Sequence, residues 1–530
     1  YIIKTNGAAI TAPAVSVPGY IILDNTCLGC TTAATTSTAA VNTNAITLGG
    51  ALSAGTLAGT TGLTINAVAN GTGVGITQGA YAISSSSGGV TINATSQTGI
   101  AYSSTGNITA TAQPITITVA TTTGAGISDT GTINGGVVTL IGSQSNTTTT
   151  NGTITETGTI TANALNIVAN GGADTNVVYL GAITINAGGG NITITANNAA
   201  AGSANGIYIG GAITNNAVGS NIVLKSNNSI NDAGAISLVA NTGVPAANLI
   251  FDVTSGTKGS NITVGALTFT AGTGSVMNYQ ANAAGGAITV GAIGTSSAFL
   301  PGYVTLDNTF GCAGANCIPV SGFITSSNLA TTNATASTGI APAAIYTTGN
   351  IVINGVSSAS YGINYGSAIQ TTAGSITMSG VSLNSYGIDG STAASTLAAN
   401  STTVGSITLT AYSGAASGNS FYTAASATIT GGVGVYIYGL GSTAGGINAG
   451  ALIRDSGTLG GVIIDAVGTV TLTGVTNSGV NGIRITGGEG IAAGTTTGGY
   501  VSAVGTITNT GGVVGISTAQ PGSATCSTGC

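Results

Sequence analysis

Histidine and tryptophan are missing from this 530-residue chain, and charge is nearly so. Five Lys or Arg and eleven Asp or Glu make up 3% of the residues, where an ordinary soluble protein has about a quarter. Each shortage excludes something. Without His, the Ser–His and Cys–His arrangements that activate a nucleophile are out of reach. Five cations cannot form a phosphate-binding stripe, and a net charge of −6 over this length steers nothing, so nucleic acid is not an expected partner. Acidic residues scattered singly cannot supply calcium-binding Gly-Gly-x-Gly-x-Asp repeats. Glu, Lys, Arg and Gln are scarce, which disfavours helix in nearly every window. No apolar run reaches the ~18 residues of a membrane helix, so the chain is expected neither to span a bilayer nor to carry a signal peptide. It starts at Tyr1 without an initiator Met, which reads as a processed chain or an excised part of a longer one.

What is present is Gly, at 89 residues, with Thr, Ala, Ser, Asn, Ile and Val dominating the rest. This mixture of β-branched strand formers and turn formers predicts an all-β protein. A hydrophobic share of 42% with so little charge is the reverse of the disorder signature. Internal repeats are visible by eye. Gly-Ala-Ile-Thr stands at 181 and 211 and Asn-Ile at 191 and 221; Ile-Thr-Val-Gly-Ala stands at 262 and 288. Gly349 opens GNIVIN and Gly374 opens GSITMS, while Tyr-Gly-Ile stands at 361 and 386. The spacings, 30, 26 and 25 residues, lie in the range of solenoid repeats.

Within each unit the pattern alternates with period two. In NITITA, Ile192, Ile194 and Ala196 share one face and Thr193 and Thr195 the other. The same phase runs through Ile115, Ile117 and Val119, through Ile407, Leu409 and Ala411, and through Val470 and Leu472. The rare charges Lys225, Asp252, Asp465 and Arg484 all fall on the outward phase, where a charge stays hydrated. Short strands joined by Gly-Gly, Asn-Gly and Thr-Gly turns predict a right-handed parallel β-helix with rungs of about 25–30 residues and essentially no helix. Runs such as GNITITANN, GNITATA, ALNIVANGG and GSITLTAYS resemble the right-handed β-helix of bacterial surface proteins, the filamentous-haemagglutinin-type exoproteins and autotransporter passengers. That resemblance implies residence outside the cell or on its outer surface.

One phrase is written twice. VPGYIILDNTCLGC, from Val17, returns as LPGYVTLDNTFGCAGANC, from Leu300. Six cysteines form three local pairs: Cys27 with Cys30, Cys312 with Cys317, and Cys526 with Cys530. The phrase and its pairs read as punctuation: an N-terminal segment 1–30, a solenoid block 31–300, a boundary segment 301–317, a second block 318–520 and a C-terminal segment 521–530. Even-numbered cysteines in an extracellular chain point to disulfides, either within each pair or across a junction between subunits. Zinc would need four ligands from distant pairs with no His, a redox Cys-x-x-Cys wants a helix N-terminus, and haem attachment wants His where Thr31 stands. Asp24 and Asp307 belong to the phrase and are expected to cap a turn.

No catalytic, cofactor or metal site is expected. The densest charge cluster, Arg454, Asp455, Asp465, Arg484 and Glu489, reads as a solvated surface ion pair between Asp465 and Arg484. Tyr is the commonest aromatic, with 17 residues, and Tyr179 over Tyr208 and Tyr361 over Tyr386 are expected to stack as ladders. The function expected is structural: a non-enzymatic subunit of a filament, sheath or surface coat whose main partner is itself, head to tail. The alternatives are an adhesin that binds glycans or proteins of a neighbouring cell, a polysaccharide-active β-helix enzyme, and ice binding by outward Thr-x-Thr rows such as Thr116 with Thr118.

Overall fold

A computed structural model describes residues 1–26, 43–55, 62–145, 152–172, 176–198, 205–239, 248–255, 259–270, 277–297, 300, 302–309, 337–392, 395–415, 419–441, 445–488, 501–503 and 506–518. The chain is a parallel β-solenoid, and among the described residues it holds no helix. It divides into two compact units, Tyr1–Thr257 with Thr270–Thr273 and Lys258–Phe269 with Gly274–Cys530.

In the first unit each turn contributes one long strand and two short ones. Ile115–Thr121, Ile127–Asp129 and Ile133–Gly135 make one such turn, and Val137–Gln144 opens the next. Each strand hydrogen-bonds in parallel to its counterpart one turn on, as Ile115 does to Val138 and Ile127 to Ile154. A parallel pair needs a long crossover, and the rest of the turn supplies it. The alternation read from the sequence decides which face is buried. Ile65, Ile92, Ile117, Leu140, Ile167, Ile194, Leu224 and Phe251 succeed one another in register as one column, all fully buried. Each such side chain stabilises by about 1.5–3 kcal/mol relative to exposure, and none could be buried by its own turn alone.

The second unit stacks Met277–Ala283, Gly302–Asp307, Ile351–Ser357, Ile376–Ser382, Ser406–Ser413, Gly434–Gly441, Val462–Ala466, Ile483–Gly487 and Val514–Thr518 along one face, and in its later turns the two other strands run together as Gly446–Asp455 and Val470–Asn477. Leu306, Ile353, Met378, Leu409, Ile437, Ile464 and Ile485 form its central buried column. The sequence markers sit directly over one another: Ile183 on Ile213, Ile192 on Ile222, Ile262 on Ile288, Ile351 on Ile376 and Ile363 on Ile388.

Turn length is more variable than 25–30. It runs from 20 residues between Ile2 and Ile22 to 33 between Ile388 and Phe421, and two turns are far longer. Ile21 pairs with Leu63, 42 residues on, and Val304 with Ile351, 47 residues on. Register is set by the inward Ile and Val positions, so surplus length goes into connections, where extra residues cost little entropy. Both long turns are the ones that carry the duplicated phrase.

Candidate functional site

The duplicated phrase builds the same small device in each unit. In the first, Asp24 Oδ1 accepts from the Thr26 backbone N–H at 2.9 Å and from Thr26 Oγ1 at 2.6 Å. In the second, Asp307 Oδ1 accepts from the Thr309 backbone at 2.8 Å and from Thr309 Oγ1 at 2.6 Å. The Asn between them is fully buried and clamps the following turn. Asn25 accepts from the Val68 N–H at 2.8 Å and donates to the Val68 carbonyl at 3.3 Å. Asn308 accepts from the Val356 N–H at 2.8 Å and donates to the carbonyls of Val356 at 3.0 Å and Gly286 at 2.9 Å. The expected turn-capping role of Asp24 and Asp307 is what the geometry shows. The phrase thus closes a strand within each of the two longest turns. Cys27, Cys30, Cys312, Cys317, Cys526 and Cys530 lie outside the described residues.

The tyrosines stack. Tyr179 and Tyr208 have ring centroids 4.9 Å apart and planes 18° apart, and Tyr361 and Tyr386 have centroids 5.9 Å apart. The second column continues to Tyr422, whose ring centroid is 5.3 Å from that of Tyr386 and whose backbone pairs in register with Asp389. Asparagines form comparable columns, with Asn93 donating to Asn66 at 2.9 Å and Asn197 to Asn170 at 3.0 Å.

The charge cluster does not converge. Arg454 is exposed while Asp455, its neighbour, points inward and is fully buried. Arg484 pairs with Asp465, with side-chain exposures of 59% and 10%. Asp465 keeps the outward register, opposite Tyr438 and Thr486, but it is covered rather than freely hydrated. Glu489 lies outside the described residues.

Five acids occupy inward positions that the reading of singly scattered carboxylates missed: Asp129, Glu156, Asp232, Asp389 and Asp455 are at most 1% exposed. Four of them follow one local rule, Ile-x-Asp/Glu-x-Gly, at Ile127, Ile154, Ile230 and Ile453. The carboxylate closes the end of an inward-facing strand by accepting the glycine N–H two residues on: Gly131 to Asp129 at 2.8 Å, Gly158 to Glu156 at 2.9 Å, Gly234 to Asp232 at 3.2 Å and Gly457 to Asp455 at 3.4 Å. Glycine is required because the turns nest: a Cβ on Gly158 would lie 1.6 Å from the Gly131 carbonyl oxygen. Burial pushes the Asp232 carboxyl up to about 7 and raises those of Asp389 and Asp455. Glu156 is pushed up to about 10, by burial first and then by the neighbouring Asp129, whose own carboxyl burial also raises. Asp129 and Glu156 are opposed in register on adjacent turns. Two paired carboxyls are the raw material of glycoside hydrolysis, but both are fully buried and offer no surface to a sugar.

Among the described residues no group of three or more His, Cys, Asp or Glu is placed to hold a metal, and no helix is long and apolar enough to cross a membrane. No family model, curated protein or solved structure matches the chain, so its relationships rest on architecture, and the architecture is a parallel β-solenoid.

Proposed function

We propose that this chain is a non-enzymatic structural protein of the cell exterior, of the filamentous-haemagglutinin or autotransporter-passenger type, assembling head to tail into a filament, sheath or coat. One observation carries the reading. The strand Val514–Thr518 pairs with Ile483–Gly487 on one side, and among the described residues no strand pairs with its other side. Val514 and Ile516 continue the inward columns of Ile483 and Ile485, yet they are 43% and 49% exposed where those residues are at most 2% exposed. An open strand edge with uncovered core residues is a template for another chain. In the first unit the strand Ile2–Lys4 pairs with Ile21–Asp24, and among the described residues no strand pairs with its other side. The occupant we take is a second copy of this chain, since every pairing between strands of the solenoid is parallel and between like turns, and a head-to-tail contact of that kind propagates without closing.

The test is sedimentation over a concentration range for the full chain and for a Val514→Lys/Ile516→Lys variant. Wild type is expected to associate progressively and the variant to remain monomeric. A monomeric wild type at all concentrations rejects the reading. A second reading, an adhesin, is favoured by the partly exposed Tyr361–Tyr386–Tyr422 column, since stacked Tyr faces suit glycan or protein contact. Glycan or cell binding that Tyr386→Ala removes from a folded protein would support it.

A further inference from the structure

The Asp129–Glu156 pair stands apart from the other buried acids because the two side chains oppose each other. Ile127–Asp129 and Ile154–Glu156 are neighbouring parallel strands, with Asp129 directly across from Glu156. One oxygen of each carboxyl is already engaged: Asp129 Oδ1 receives the Gly131 N–H and Glu156 Oε1 the Gly158 N–H. The remaining two, Asp129 Oδ2 and Glu156 Oε2, are buried and receive no N–H or O–H from any other residue. The two carboxyls are nevertheless within hydrogen-bonding reach of each other. Two carboxylates so placed cannot both ionise, whereas a carboxylic acid facing a carboxylate satisfies both oxygens with a single proton.

Besides the two glycine N–H groups, the donors beside Asp129 are the Ser104 hydroxyl and the Thr130 N–H, and neither satisfies the two remaining oxygens. On the preceding strand Tyr102 faces the pair, but its hydroxyl donates to Gln78 Oε1, and Ser104 Oγ donates to the Gly106 carbonyl. On the following strand the register partner is Leu180. Among the described residues Tyr102 is the one other titratable group acting on the pair, no cation does so, and burial holds the Tyr102 hydroxyl neutral.

We infer that Asp129 and Glu156 share one proton as an O–H···O clamp between two turns of the first unit, so that this unit is strengthened by acid and loosened by alkali. The unfolded chain releases that proton above an ordinary carboxyl pKa of ~4.3. The folded pair retains it until pH approaches the raised Glu156 value of about 10. Stability from the clamp is therefore full at low pH and declines across that window, where each pH unit lowers the folded-to-unfolded ratio up to ~tenfold for one proton. This is opposite in sign to a salt-bridged carboxylate, and it suits a chain with hardly any cations to pair its acids.

Glu156→Gln replaces the shared proton with a permanent N–H donor and should fold. Two measurements on wild type and this variant decide the matter. Infrared difference spectra, wild type minus variant, at pH ~9 are expected to show a protonated-carboxyl band, with contributions from the other raised carboxyls, Asp232, Asp389 and Asp455, common to both proteins and cancelling. Hydrogen exchange of residues 127–131 and 154–158, corrected for intrinsic rates, is expected to lose protection with rising pH in wild type and to be flatter in the variant, by up to ~tenfold per pH unit. Should Glu156→Gln not fold, Asp129→Asn, whose amide donates to Glu156, serves as the second variant. The absence of that difference band, or equal pH slopes in wild type and variant, would overturn the inference.

Discussion

Replacing Asn308 with Ala removes a side chain that makes three hydrogen bonds to the backbone of two other turns, at 2.8, 2.9 and 3.0 Å. Ala leaves the Val356 N–H and the Val356 and Gly286 carbonyls without that partner, at about 1–3 kcal/mol for each group that water cannot reach. The expected cost is about 3–5 kcal/mol, since the side chain is fully buried and its loss also opens a void. Asn25→Ala, with two bonds of which one is 3.3 Å, should cost less. Asn308→Asp is the informative control: it keeps an acceptor for the Val356 N–H but turns the donor into an oxygen aimed at two carbonyls. It should be worse than Ala at neutral pH and improve on acidification. A long solenoid need not unfold in one step, so the assay is hydrogen exchange of residues 351–357 rather than a global midpoint. Exchange there should rise roughly a hundredfold or more in Asn308→Ala. If it is unchanged, the Asn is a passenger and the duplicated phrase needs another explanation.

Three further outcomes are expected. Gly158→Ala places a methyl against the Gly131 carbonyl and should destabilise by about 3 kcal/mol, seen as lower protection of residues 127–131 and 154–158. Tyr386→Ala removes two ring stacks and should cost about 1–3 kcal/mol, against about half that for Tyr179→Ala, which removes one; urea titration of each variant measures the difference. Asp232 has a folded carboxyl raised to about 7 by burial, so its contribution is complete below an ordinary carboxyl pKa of ~3.9 and is lost as pH rises through neutrality. Asp232→Asn should flatten that part of the pH–stability curve.

The architecture was legible because one physical rule governs it: inward Ile and Val positions must meet their own kind one turn later. That is why Ile183 over Ile213 and Ile363 over Ile388 are readable from spacing alone. Turn length was less legible, since connections tolerate insertions that register does not notice. The buried acids escaped because charge was expected on the hydrated phase, as it is at Lys225 and Arg484. The signal was present in Ile127-Ser-Asp129-Thr-Gly131 and Ile154-Thr-Glu156-Thr-Gly158, where parity puts the carboxyl inward and a glycine follows to donate its N–H. A carboxyl tolerates that position only by taking such donors and by holding its proton, a compensation that composition does not reveal.

Electron microscopy of the full chain, with diffraction from oriented material, bears most directly on assembly by turn-on-turn stacking. Filaments whose strands lie across the long axis at a spacing of ~4.7–4.9 Å are the predicted result, with the Val514→Lys/Ile516→Lys variant forming none. Isolated particles at every concentration, or filaments that the variant forms equally well, would contradict it.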